Sequence, residues 1–274
     1  MLNKLDKIKS EKYPKLANII QNYGSAVVAY SGGIDSTLLA YITHHILAQK
    51  SLIITAKSEF ITDNELKEAQ ELAKHFAFNH TVINLKVLDN SDIRKNNSQR
   101  CRYCKELIFS ELVKLAKTKG YQYIFDGSNI DDINDYRPGF EAIKKLEIKS
   151  PFIEAGFSKA DIRETAKDLG LSNWNKPALA CLASRIPYET AITEKKLCMI
   201  EQAESYLKDL GYSGFRVRHH DKIARIELNQ DDIEQFISKH RKEINLKLQK
   251  LGYNYVCLDL KGYRTGSLNE SIEQ

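Results

Sequence analysis

The sequence predicts an α/β protein: a doubly wound, mostly parallel sheet with a smaller C-terminal α+β domain. Three observations predict it. Short apolar runs alternate with amphipathic stretches through the first part of the chain, the pattern of successive βαβ units. A glycine pair in Ser31-Gly32-Gly33-Ile34-Asp35-Ser36 stands between the first apolar run and the helical face that follows it. Past about residue 190 the alternation gives way to a helix, two short strands, a long helix and a final strand. This pattern assigns residues 1–190 to the first domain and 191–274 to the second.

Each element follows from its own spacing. Leu2, Leu5, Ile8, Leu16, Ile19 and Ile20 recur at helical intervals, with a break expected near Pro14. Ala26–Tyr30 is short and apolar, as a buried parallel strand should be. Leu38, Leu39, Ile42, Ile46 and Leu47 then line one helical face. Ser51–Ala56, Thr81–Leu88 and Tyr121–Asp126 are expected strands, separated by helices over Asn64–Phe78 and Tyr103–Lys119. Ser158 and Asp161 form a capping box ahead of a helix that ends near Gly170. Trp174–Thr193, punctuated by Pro and carrying a cysteine, is the expected boundary. Beyond it come a helix over Thr193–Leu210, strands over Phe215–His219 and Ile223–Leu228, a helix over Asp231–Leu251 and a strand over Tyr255–Leu260.

Composition excludes several classes. With 42% hydrophobic and 28% charged residues, and only 5 Pro and 13 Gly in 274, the chain is neither disordered nor low in complexity. A net charge of +5 without a dense Lys/Arg block suits anionic small molecules and does not point to nucleic acid as a partner. No apolar run approaches the roughly 18 residues of a membrane span. The polar start MLNKLDKIKSEKYPK has no signal-peptide core, so a cytoplasmic location is expected. Cys101, Cys104, Cys181, Cys198 and Cys257 are odd in number, which favours metal, redox or buried thiols over a disulfide framework.

The chemistry concentrates in four places. The first is the Gly-Gly loop. Its glycines let the backbone approach a ligand, Ser31, Ser36 and Thr37 offer hydroxyls, and the helix N-terminus offers unpaired N–H groups to an anion. Asp35 suits an anion site only if it holds Mg²⁺. No Gly-Lys-Ser/Thr follows, so this is not a Walker A loop. A nucleotide in such a sheet lies beyond the carboxyl ends of the strands. That places Ala29, Ala56 and Lys57, and Gly127 and Asn129, at its edge. The second is Asp131–Arg137, where Asp131 is a candidate Mg²⁺ ligand and Arg137 a phosphate clamp. The third is Cys101-Arg102-Tyr103-Cys104, whose spacing serves a dithiol couple, half a zinc site or half an iron–sulfur site. The fourth is Cys181 in Pro177–Arg185, a third thiol that would leave one iron of a [4Fe–4S] cluster open. Cys198 and Cys257 lie within apolar patterns and are read as packing residues.

Ser31–Ser36 resembles the SGGxDS loop of the PP-loop ATP pyrophosphatases, whose fold is adenine nucleotide alpha hydrolase-like and which adenylate a substrate with release of pyrophosphate. Further segments resemble one branch of that superfamily across nearly the whole chain. They are Asp126–Gly139, Trp174–Pro177, Cys181–Tyr188, Arg216–His220, Ile223–Glu227 and Leu258–Gly266. The chain is similar to LarE-type ATP-dependent sulfur transferases. The resemblance implies ATP and Mg²⁺, adenylation of a carboxylate of pyridinium-3,5-biscarboxylic acid mononucleotide, and its conversion to a thiocarboxylate for the nickel-pincer nucleotide cofactor. It implies Cys101, Cys104 and Cys181 as catalytic thiols holding a [4Fe–4S] cluster, with sulfide or a sulfur-donor protein as source. It also implies a homo-oligomer. Ser184, Arg185, Glu204, Arg216 and Arg218 take substrate-binding roles by the same carry-over. Sacrifice of the sulfur of Cys181 is the alternative within the family. Outside it stand a tRNA thiolase or ammonia-dependent ligase, and a zinc-bound nucleotide sensor.

Overall fold

The computed structural model describes residues 5, 8–133, 143–177, 180–264 and 266–267. Arg137 and the rest of 134–142, Ala178, Leu179, Thr265 and Leu2 lie outside the described residues. The chain divides into two compact units, Met1–Val87 with Gln99–Leu179, and Leu88–Ser98 with Ala180–Gln274.

The first unit is built on four parallel strands, β1 (Ala26–Ala29), β2 (Ser51–Lys57), β3 (His80–Asn84) and β4 (Tyr123–Phe125), in the order β3-β2-β1-β4. β1 pairs with β2 from Ala26↔Ser51 and with β4 from Ala26↔Tyr123. Successive strand residues face opposite sides, so one short strand serves two cores. Ala26, Val28, Ile53 and Phe125 enter a core with α1 (Tyr13–Tyr23), α2 (Ile34–Leu47), α3 (Asp63–His75), α6 (Pro151–Ala155) and α7 (Lys159–Asp168). Val27, Leu52, Ile54 and Ile124 enter the other, with Phe109, Leu112 and Ala116 of α5 (Arg100–Thr118). Both faces are covered, which is why the strands are continuously apolar rather than alternating.

Several local expectations shift by a few residues. Pro14 does not break a helix; it sits in the first turn of α1, where its missing N–H costs nothing. The third strand ends at Asn84, short of the expected Leu88. Ser158 caps α7 in a full capping box with Asp161.

The second unit has α8 (Glu194–Asp209) and α9 (Ile233–Lys250) beside a three-stranded sheet of β5 (Arg216–His220), β6 (Ile223–Glu227) and β7 (Tyr255–Leu258). β5 and β6 are antiparallel and β6 and β7 parallel. Val217, Ala224, Ile226 and Leu228 pack with Ala203 and Leu207 of α8 and Phe236, Ile244 and Leu248 of α9.

This unit starts at Ala180, inside the expected boundary stretch Trp174–Thr193 but ahead of residue 190, and it takes in Leu88–Ser98 with its short helix α4 (Ser91–Arg94). The fully buried Asn96 explains why. Its amide donates to the carbonyls of Pro187 (2.7 Å), Thr190 (3.1 Å) and Ile186 (3.3 Å). Glu189 N–H donates to the Asn96 carbonyl and Ile192 N–H to that of Arg94. These bonds join sequence stretches some ninety residues apart that no local pattern connects.

Candidate functional site

The strand order reverses at β1, since β2 and β3 lie on one side of it and β4 on the other. That is the switch point at which open α/β sheets bind ligands. The loop that leaves β1 there is Ser31–Gly33, with Gly33 as the N-cap of α2.

The loop is tightly cross-linked. Ser31 N–H donates to Ser36 Oγ (3.2 Å), and the two hydroxyls are 3.1 Å apart. Ser36 and Thr37 hydroxyls both donate to the Gly33 carbonyl, at 3.1 and 2.8 Å. Gly32 is in the left-handed region (φ 76°), and a Cβ there would stand 2.8 Å from that of Ala69. Only glycine meets both demands. From the facing strand end, a Cβ on Gly127 would stand 3.1 Å from the Ser36 nitrogen. Two glycines from different strand ends therefore bring bare backbone to the first turn of α2, where the helix leaves N–H groups for an anion.

Asn173 is a loop residue that sequence reasoning missed. Its buried amide donates to the Gly32 carbonyl (3.2 Å) and to Thr37 Oγ1 (3.0 Å). An Asn just past a helix end reads as an ordinary turn residue, so no sequence signal marks it. Lys159 was also missed. It pairs with Asp35 Oδ2, while Asp35 Oδ1 is buried with no hydrogen-bond partner among the described residues.

At the end of β4, Asp126 accepts from the hydroxyls of Ser128 and Ser150. Burial pushes its carboxyl above the usual range; both hydroxyls and the charge of Lys105 pull the other way. Asn129 N–H donates to Asp132 (3.0 Å), and Asp131 accepts from the Lys159 N–H (2.7 Å) and thereby anchors the start of α7. Ala29 and Ala56 lie at the carboxyl ends of β1 and β2, and Lys57 pairs with Asp63.

Lys105 links this edge to the start of α5. Cys101 and Cys104 lie in the first turns of that helix, one turn apart and so on one face. The Arg100 guanidinium donates to Cys101 Sγ at 3.6 Å. Cys101 is exposed and Cys104 half-buried.

In the second unit, exposed Cys181 caps a 3₁₀ turn over Leu182–Arg185. Its carbonyl accepts from the Ser184 hydroxyl (2.8 Å) and from Arg185 Nη1 (3.0 Å), which also reaches the Ala180 carbonyl (2.6 Å). Buried Arg185 meets Glu204 through two bonds of 2.9 Å, and Glu204 also accepts from Val217 N–H (3.0 Å). Arg218 makes the same two-pronged contact with Glu227 (3.0 and 2.8 Å) and donates to the Ser184 carbonyl (2.9 Å) and Ser267 (2.6 Å). Arg216 differs. Among the described residues it bonds no carboxylate; it donates to the Phe215 carbonyl and lies 5.1 Å from the Tyr263 ring centroid. Burial, then repulsion from Arg185, lowers its pKa. A half-buried cation under such pressure is suited to an incoming anion.

The loop residues thus come together, as do the basic residues around Cys181. Among the described residues no three His, Cys, Asp or Glu side chains are grouped to hold a metal ion, and no helix is long and apolar enough to cross a membrane.

Comparison with known proteins agrees with this geometry. The NAD synthase family model matches residues 11–114, the stretch holding the phosphate loop and the Cys pair. The chain is 37% identical over 262 residues to the pyridinium-3,5-bisthiocarboxylic acid mononucleotide synthase of Lactiplantibacillus plantarum, covering 95% of each. It is 41% identical to an uncharacterized protein of Synechocystis (94% of this chain, 98% of that one) and 34% identical to one of Methanocaldococcus jannaschii (96% and 98%). With that identity over nearly all of both chains, the chain belongs to the LarE-type family of PP-loop, ATP-dependent sulfur transferases.

Proposed function

We propose that this enzyme adenylates a carboxylate of pyridinium-3,5-biscarboxylic acid mononucleotide and replaces one of its oxygens with sulfur. The observation that carries this reading is the phosphate loop at the switch point, in a chain of this family. A substrate carboxylate oxygen attacks the α-phosphorus of ATP, and the bond to pyrophosphate breaks. N–H groups at the start of α2 receive the charge that develops on the leaving pyrophosphate. Sulfide then attacks the acyl carbon and AMP departs with the oxygen. Arg216, which bonds no carboxylate among the described residues, binds the substrate's phosphate or carboxylate, and Arg185 and Arg218 hold the surrounding backbone.

Asp35 and Asp131 are the assigned Mg²⁺ ligands. Asp35 Oδ1, buried with no hydrogen-bond partner among the described residues, fits that assignment, whereas Asp131 already accepts from the Lys159 N–H through Oδ2 and would ligate the ion through its other oxygen. For sulfur delivery we infer a [4Fe–4S] cluster on Cys101, Cys104 and Cys181 from thiol chemistry and the family alone, since no three candidate ligands are grouped among the described residues. Cys101 and Cys181 are exposed and Cys104 is half-buried, and thiolates are the donor chemistry such a cluster takes. Such a cluster, held by these three thiolates, would supply one iron open to sulfide. The protein is read as a cytoplasmic homo-oligomer.

The test is anaerobic incubation of the purified protein with ATP, Mg²⁺, sulfide and the dicarboxylate nucleotide. Pyrophosphate, AMP and a product carrying sulfur in place of oxygen are expected, over many turnovers per chain. Cys101→Ala, Cys104→Ala and Cys181→Ala should each lose both the brown colour and the sulfurated product while still releasing pyrophosphate. Pyrophosphate without any thiocarboxylate in the reconstituted wild type overturns the sulfur-transfer reading. One turnover per chain, with Cys181 converted to dehydroalanine, replaces the cluster by sacrifice of that residue.

A further inference from the structure

Tyr263 follows the last strand of the second unit, and its backbone is a fixed support. Its N–H donates to the Leu228 carbonyl, just past the end of β6 (2.6 Å). Gly262, immediately before it, takes φ 71°, and a Cβ there would stand 2.7 Å from that same carbonyl oxygen. Only glycine permits this approach. Asp259 closes the turn. Its carboxylate accepts from the Lys261 N–H (2.8 Å) and pairs with Arg225 (3.1 Å), and its carbonyl accepts from the Gly262 N–H (3.1 Å). The half-buried ring held in this way lies under the Arg216 guanidinium, whose carbon is 5.1 Å from the ring centroid. Neither the adenylation nor the sulfur transfer described above uses this ring.

The face of a phenol ring is electron-rich and attracts a cation. With no ligand bound, that cation is Arg216, which donates to the Phe215 carbonyl (2.6 Å) and, among the described residues, to no carboxylate. A phosphate accepts two parallel N–H bonds from a guanidinium and holds it more strongly than a ring face or a neutral carbonyl does. An incoming phosphate therefore draws the guanidinium toward itself and bares the ring. A flat aromatic cation matches the bared face in shape and in charge. A ligand with a phosphate at one end and a cationic ring at the other satisfies both groups at once. The turn that carries Cys181 is tied to the same cluster. Arg218, on the same face of β5 as Arg216, donates to the Ser184 carbonyl (2.9 Å), and Arg185 donates to the Cys181 carbonyl (3.0 Å).

We propose that Tyr263 selects the substrate by its ring charge: the pyridinium stacks on the phenol face in place of the Arg216 guanidinium, which moves to the substrate's phosphate. This rests on the reading of the substrate as a pyridinium mononucleotide and adds to it the residue that recognises the ring.

Calorimetric titration of the full chain with three probes tests it. Nicotinamide mononucleotide has a pyridinium ring, its reduced dihydropyridine form keeps phosphate and sugar without the ring charge, and ribose 5-phosphate has no ring. The wild type should bind the oxidised nucleotide on the order of tenfold more tightly than the reduced one, the scale of a half-buried cation–π contact. Tyr263→Leu should abolish that preference by weakening the oxidised form alone, with the other two probes held to within about threefold. Tyr263→Phe keeps the ring face and should keep the preference. An unchanged preference in Tyr263→Leu overturns the proposal. So does equal weakening of all three probes, the mark of a merely structural tyrosine. If Tyr263→Leu does not fold, loss of the preference in a folded Tyr263→Phe overturns it instead. A wild type that shows no preference yet converts the dicarboxylate nucleotide overturns this assignment alone. A wild type that neither binds nor converts the dicarboxylate nucleotide brings down the substrate reading, and this assignment with it.

Discussion

At the scale of single residues, the two buried arginine–carboxylate pairs of the second unit are the most exposed to damage. Glu227 is fully buried and accepts from Arg218, Arg225 and Ser267. Removing Arg218 strips it of its two-pronged partner, while Arg225 still supplies one bond. Arg218→Met should therefore destabilise the protein by about 3 kcal/mol, near the lower end for an orphaned buried charge, seen as a lower urea midpoint. Arg218→Met combined with Glu227→Gln should recover much of that loss, because no charge is left uncompensated. The sequence shows Arg216 and Arg218 alternating on one strand face, and it suggested that both bind ligand. Their difference depends on Glu227, on the neighbouring strand, which pairs with one and not the other.

At the scale of elements, the phosphate loop is a backbone device. Its hydroxyls brace the Gly33 carbonyl, and Asn173 holds Gly32 from outside the motif. Gly32→Val meets both an unfavourable φ and a clash with Ala69, so ATP binding should be abolished in equilibrium titration. Gly127→Ala is milder. Its new methyl meets the first turn of α2 at 3.1 Å, a separation that a few tenths of an ångström relieve. Its ATP affinity should fall by less than that of Gly32→Val, with circular dichroism unchanged. Equal losses in the two variants would mean that the close approach at Gly127 is as rigid as the loop itself. The Gly-Gly motif and its strand–loop–helix setting are legible in sequence because they are local. Asn173 and Lys159 are not, because each acts on the loop from more than a hundred residues away.

At the scale of the whole molecule, acid sensitivity should come from the second unit. His219 is buried against Tyr253, its Nδ1 3.1 Å from the phenol oxygen, and burial lowers its pKa to about 4 from 6.5. The unfolded chain therefore takes up this proton at a higher pH than the folded one. The stability that neutral His219 contributes is complete above pH 6.5. It declines as the pH falls from there and is lost as the pH passes through about 4. Thermal unfolding followed between pH 7.5 and 4 should show the midpoint falling from about pH 6.5 downward, and His219→Gln should flatten that fall. An equally steep fall in the variant would place the acid-sensitive group elsewhere.

By itself the sequence determined the parallel sheet, the order of its strands and helices along the chain, the phosphate loop, and the family. All of these are written in periodicity and in contiguous motifs, where steric rules act between near neighbours. The tertiary structure decided the rest. It moved the unit boundary to Ala180 and drew in Leu88–Ser98, because Asn96 needs the carbonyls of Ile186, Pro187 and Thr190. It made Arg185 and Arg218 internal ties while leaving Arg216, among the described residues, without a carboxylate bond. It also brought Lys159 and Asn173 to a loop far from them in sequence. Such pairings arise only when a buried polar group must find a partner, and the partner is set by which elements pack together rather than by distance along the chain.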